Sequence, residues 1–157
     1  MKQAELRDFL NQKVEQYNGL DFIETDPVQI PHMFQGKEDQ EISGFLTATI
    51  SWGNRKSILT NAHKLMDLMD HSPHDFVINH HKKDLKHLES FVHRTFNCLD
   101  LQYFIKSLQN IYNHHSGLEA LFAKNLSKHS TQPAISAFKK TFFELPHPSR
   151  TTKHISD

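Results

Sequence analysis

The sequence predicts an all-α fold, and three observations carry that expectation. Apolar residues recur at three- and four-residue spacing along most of the chain, the period of a helix face. Only 5 glycines occur in 157 residues. No alternation of apolar and polar residues runs long enough to make a half-buried strand. A chain of this length suits one domain with a workable core, helped here by 12 phenylalanines.

Residues 4–17 are expected to form the first helix, with Leu6, Phe9, Leu10 and Val14 on one face. YNGLDFIETDPVQIPHMF follows, and Pro27 and Pro31 restrict the residues before them. This stretch therefore reads as an ordered, mostly extended connection. Asp39 is the expected N-cap of the next helix, which carries Ile42, Phe45, Leu46, Thr49 and Ile50. Gly53 is expected to stop it in a left-handed conformation. Asn54 then caps a helix with the apolar stripe Ile58, Leu59, Ala62, Leu65, Met66 and Met69,. Ser72-Pro73 reads as a cap followed by proline at the first helical position, opening a shorter helix through Phe76, Val77 and Ile78,.

Leu85, Leu88, Phe91 and Val92 suggest another short helix, with His93 and Arg94 following on it. Asn97 or Asp100 starts a long one through Leu101, Phe104, Ile105, Leu108, Ile111 and Tyr112. Ser116 is read as the cap of residues 118–126, and Thr131-Gln132-Pro133 as the start of a helix carrying Ile135, Phe138, Phe142 and Leu145,. LPHPSRTTKHISD has left that helix and reaches Asp157 without an obvious docked element. Residues 1–157 thus read as a single helical domain, incomplete at its C-terminus.

The totals exclude several classes of function. Lys+Arg and Asp+Glu balance at 18 each, so net charge predicts no nucleic-acid binding, and any such binding needs an asymmetric surface. The 13 histidines invite a metal reading. His80-His81 and His114-His115 are adjacent, however, and neighbours on a helix do not face each other. His71 and His74 straddle a helix start, and no Cys–His framework occurs. No metal and no cofactor is expected. Cys98 stands alone, so no internal disulfide is possible and a reducing cytoplasm is the expected location. It reads as a small buried hydrophobe on a helix flank. No apolar stretch reaches the length of a membrane span.

Trp52-Gly53-Asn54-Arg55 interrupts two apolar helical patterns. One reading is purely structural: tryptophan plugs the core, glycine stops a helix, asparagine starts the next, and arginine meets water. The other is functional. Arg55 falls in the first turn of its helix, where the dipole disfavours a cation unless an anion pairs with it. The free N–H groups there, with Asn54 and Arg55, suit a phosphate or carboxylate, and tryptophan can stack on a base.

Asp26-Pro27, Ile30-Pro31-His32-x-Phe34, Asp39-x-Glu41-Ile42-x-Gly44-Phe45 and Trp52-Gly53-Asn54-Arg55 come in order. Phe91-Val92-His93-Arg94-Thr95-Phe96-Asn97 with Asp100-Leu101, and finally Lys153-His154-Ile155-Ser156, complete the set. These blocks resemble the signature of an uncharacterised bacterial family of unknown function. More distantly, the succession of helices resembles the first half of helix-hairpin-helix base-excision DNA glycosylases, which implies an orthogonal multi-helix domain and DNA as partner. In those enzymes the corner between two helices approaches a flipped nucleotide, and Trp52 to Arg55 would occupy that place. The corner residues differ, so the resemblance implies no base preference. It places the DNA-gripping hairpin and the catalytic aspartate beyond the Lys-His-Ile-Ser block, and no Gly-x-Gly hairpin occurs here. The expectation is therefore an N-terminal part without the catalytic residues.

The candidate binding residues are Trp52, Gly53, Asn54, Arg55 and Arg94, with Glu41, His32 and His93 in support. Arg94 can hold a phosphate or tie the loop at Asp26 by an ion pair. Glu41 can pair with Arg55 or Arg94, or be a solvated acid in a helix's first turn. His32 lies between Pro31 and Met33 and reads as a packed loop histidine. The alternative to a DNA-acting protein is a non-enzymatic helical module that binds nucleic acid or protein through the same corner.

Overall fold

A computed structural model describes residues 2–156, and helices dominate it as the spacing predicts. α1 (Gln3–Tyr17) forms where expected but has no buried residue, and Leu6, Phe9, Leu10 and Val14 are all at least 40 % exposed. The stretch after it is not extended: α2 (Leu20–Thr25) and α3 (Gln29–His32) occupy it. Asp26 does obey its proline and sits extended at φ −104°, ψ 149°,. Ile30 does not; it is helical and fully buried. Pro31 lies in the first turn of α3, where its missing N–H has no intrahelical acceptor to lose. Burial of Ile30 in the core outweighs the steric preference.

α4 (Lys37–Ile50) buries Ile42, Leu46 and Ile50, and α5 (Arg55–Leu68) buries Ile58, Ala62, Leu65 and Met66. The N-cap of α4 is Gly36 and not Asp39. Asp39 stands in the first turn, and its Oδ1 accepts the His74 N–H at 2.9 Å. It thereby caps the start of α6 (Pro73–Asn79) from another helix. Ser72, at the cap position itself, makes no side-chain cap bond. α4 stops at Ile50, short of Gly53, which sits in the connector with φ +110°. Asn54 caps α5 as expected, its Oδ1 accepting the Ser57 N–H at 3.2 Å.

α7 (Asp84–His87) tightens into a 3-10 turn at Leu88–Ser90, and the helix expected through Val92 ends there. β1 (Val92–His93) and β2 (Phe96–Asn97) form an antiparallel hairpin instead, pairing Val92 with Asn97 and His93 with Phe96. Period-two burial explains the switch: Phe91 and His93 are buried, while Val92 and Arg94 between and after them are exposed,.

α8 (Cys98–His114) starts at a capping box. Asn97 Oδ1 accepts the Leu99 and Asp100 N–H groups, and Asp100 Oδ2 accepts the Asn97 N–H,. It is the axis of the fold, burying Leu101, Phe104, Ile105, Leu108 and Ile111. Cys98 is half-buried at its first position and unpaired. Against α8 pack α9 (Gly117–Asn125) and α10 (Gln132–Phe142). Ser116 precedes α9 in a left-handed conformation, φ 63°, and neither Ser116 nor Thr131 makes a side-chain cap bond. Rings of Phe45, Phe96 and Phe142 surround Phe104 at centroid distances of 5.7, 5.1 and 4.7 Å. Tyr103 Oη and Ser107 Oγ both donate to the Phe142 carbonyl, at 2.7 and 2.6 Å, and hold the end of α10 to α8. Burial pushes the Tyr103 hydroxyl up to about 12, so it remains a donor at neutral pH,.

The last described stretch does not hang free. Ser149–His154 is a 3-10 helix with Thr151 fully buried, and Thr151 Oγ1 donates to Asp100 Oδ1 at 2.8 Å. Among the described residues no helix is long and apolar enough to cross a membrane.

Candidate nucleic-acid interface

The hairpin folds onto the joint between α4 and α5 and determines how the corner is presented. His93 is 2 % exposed, with Nδ1 3.2 Å from Asn61 Nδ2 and Nε2 3.4 Å from the Trp52 carbonyl. One neutral tautomer serves both contacts: the Asn61 amide donates to Nδ1, and Nε2–H donates to the carbonyl. Its ring meets the Trp52 indole edge-to-face at 5.9 Å. His93 is therefore a buried strut between hairpin and corner, and it stands on β1 instead of a helix.

Arg94 occupies the hairpin turn with φ +54°. A left-handed arginine is disfavoured by about 1–2 kcal/mol, and such turns usually take Gly, Asn or Asp. From there its guanidinium lies 4.7 Å from the centroid of the Trp52 ring, within cation–π range,. Gly53 makes room for it. A Cβ on Gly53 would stand 2.8 Å from Arg94 Nη1, and the positive φ already favours glycine,. Trp52 itself is 37 % exposed and does not plug the core. Arg94 forms no ion pair among the described residues and does not tie Asp26.

That task falls to Arg55, whose Nη2 lies 3.7 Å from Asp26 Oδ2. Asp26 Oδ1 also accepts the Val28 N–H at 3.0 Å. The cation in the first turn of α5 thus has its anion within the fold. Glu41 is not part of the corner: it accepts a 2.6 Å hydrogen bond from Tyr112 Oη and pairs loosely with Lys37. His32 is exposed at the end of α3 and is not a packed loop residue.

Beside the corner lies a cleft of about 510 Å³, between the 26–31 segment, α4 and the start of α5. Asp26, Pro31, Thr47, Gly53 and Arg55 are among its walls, whereas Trp52 and Arg94 are not. The structure therefore divides the expected residues into two adjoining sets that meet at Gly53. Sequence reasoning missed Asn61 and Arg150, whose partners lie far along the chain, and Thr47, whose place in the cleft depends on how the 26–31 segment packs against α4. Arg150 Nη2 donates to the Thr95 carbonyl at 2.7 Å and pairs with buried Asp100 at 3.2 Å, bracing the turn that holds Arg94. His154 Nε2 comes within 3.4 Å of the same carboxylate without hydrogen-bond alignment. Burial pushes this imidazole below its usual range, outweighing the opposite pull of Asp100,. Among the described residues no three His, Cys, Asp or Glu side chains gather as metal ligands do.

Fold and corner together define an all-α protein that presents a guanidinium-stacked tryptophan beside a mostly apolar cleft. The chain belongs to the DUF2400 family, described as a protein of unknown function, whose sequence profile matches residues 26–157. The match begins at Asp26 and includes the corner, the cleft and the hairpin, and leaves α1 and α2 outside. No curated protein and no solved structure matches the chain.

Proposed function

We propose that the chain binds nucleic acid, DNA first, through the Trp52–Arg94 corner, as part of a base-excision-type protein similar to helix-hairpin-helix DNA glycosylases. One observation carries this reading. An arginine is held in a disfavoured left-handed turn, over an exposed tryptophan, without a carboxylate partner among the described residues. Stability alone gives no reason to retain such strain, and it concentrates at functional sites. An indole beside a free guanidinium offers a base a stacking face and the neighbouring phosphate a charge. The first N–H groups of α5 lie at the same corner and add a favourable end for an anion. Asp26, the carboxylate that meets the corner, is engaged by Arg55 and the Val28 N–H. Binding without base release is the activity proposed for this chain.

Trp52 is the only tryptophan, so its emission reports this corner alone. Titration with a short single-stranded oligonucleotide at low salt is expected to quench it saturably. Trp52→Leu is expected to weaken binding of a labelled oligonucleotide by about 1–3 kcal/mol, the usual worth of one base–aromatic stack. Emission unchanged by oligonucleotide would remove the reading.

A further inference from the structure

Arg55 and Gly53 line a cleft that the stacked pair does not enter, and that cleft has its own chemistry. We propose that it is a nucleobase pocket selecting guanine, a reading that rests on the nucleic-acid function proposed above. Its size falls in the range of small-molecule sites. Pro27, Val28, Pro31 and Ile58 give it apolar walls suited to the faces of a flat ring. Polar groups then stand where an edge would be read.

Thr47 is the first of these. It is 3 % exposed, and its Oγ1 has no hydrogen-bond partner. Its neighbours on the same helix are all satisfied: Ser43 donates to the Gln40 carbonyl, Thr49 to that of Phe45, and Ser51 to that of Thr47 itself. A buried hydroxyl left alone among satisfied ones costs stability, and a ligand in the cleft gives it a partner.

Asp26 and Arg55 are the second. At 3.7 Å they attract each other but exceed the usual hydrogen-bond distance,. The carboxylate therefore keeps acceptor capacity, and the guanidinium keeps donors. A guanine edge carries O6, then N1–H and the 2-amino group, an acceptor for Arg55 beside two donors for Asp26. Adenine carries an amino group where guanine has O6 and a bare ring nitrogen where guanine has N1–H. It would face Arg55 donor to donor and Asp26 acceptor to acceptor, which is how a polar site rejects the wrong ligand.

The test follows the cleft directly, without using Trp52. In proton–nitrogen correlation spectra of the full chain, guanosine is expected to shift the Gly44, Thr47 and Gly53 amides saturably. Adenosine is expected to bind at least about tenfold more weakly. Thr47→Val keeps the side chain's shape and replaces the hydroxyl with a methyl group. Weaker guanosine binding with Tm level or raised is the expected result, and Asp26→Asn should weaken it about tenfold. No cleft shifts with guanosine, equal response to adenosine, or binding indifferent to both variants would overturn the pocket. Two oligonucleotides, one with an unpaired guanine and one with an abasic site in its place, identify the source of the base. Cleft shifts from the first oligonucleotide and not the second, in addition to those from guanosine, mean a base delivered by a strand. Shifts from guanosine alone mean a free nucleoside, and both results keep the pocket. If oligonucleotides leave Trp52 emission unchanged while guanosine still moves the cleft amides, the corner reading fails and the pocket stands.

Discussion

At the residue scale, Gly53 shows how little space the corner leaves. Its φ of +110° and the 2.8 Å approach of Arg94 Nη1 to a virtual Cβ are two separate obstacles to any side chain. Gly53→Ala is expected to lower stability by about 1–2 kcal/mol from the backbone alone, with more from the displaced guanidinium. A double-mutant cycle separates the two. In an Arg94→Ala background the steric part disappears while the backbone part remains, so the two substitutions should couple by about 0.5 kcal/mol or more. Denaturation followed by circular dichroism measures this, and strict additivity would mean Arg94 does not lie against Gly53. Local chemistry made the positive φ of Gly53 and the cap at Asn54 readable from sequence, since both involve only near neighbours, although α4 ends at Ile50 and not at the glycine. Asp39 was misplaced for the opposite reason. Its partner, the His74 N–H, lies 35 residues away, and an acid in the first turn satisfies the same helix-start pattern either way.

At the scale of elements, the hairpin matters more to the site than the helices do, and it was illegible. Two residues per strand give too short an alternation to register as a strand, and the turn uses an arginine where sequence rules look for glycine,. What stabilises it is nonlocal: Arg150 on the Thr95 carbonyl, and Asp100 receiving Arg150 and Thr151. The 3-10 segment at 149–154 is thus a brace for Arg94, and His154 gives it a pH signature. Burial depresses the His154 imidazole below its ordinary value of 6.5, so the unfolded chain binds that proton more readily than the folded one,. The contribution is fully present above the ordinary value and is lost as pH falls through it towards the depressed folded value. Between about pH 8 and pH 5, Tm should fall more steeply for the wild type than for His154→Gln. Parallel curves would show that the imidazole is equally easy to protonate in both states.

At the scale of the whole molecule, zero formal charge limits how the corner can engage a polyanion. The helical class was legible because apolar periodicity is a whole-chain property, whereas the surface charge pattern depends on which cations the fold leaves unpaired. Arg55, prominent in the sequence, is taken up by Asp26. Arg94 and Lys56 are exposed and without ion pairs among the described residues. Binding through about two phosphates implies a slope of log K against log salt near −1.4 for single strands, at about 0.7 per phosphate. Arg94→Ala should roughly halve that slope as well as weaken binding, because one counterion fewer is released. Oligonucleotide anisotropy across a salt series measures both together. A steep slope that Arg94→Ala leaves untouched would place the phosphate contacts elsewhere on the surface. A shallow slope that survives the substitution, with affinity unchanged, would mean that Arg94 serves only to hold Trp52.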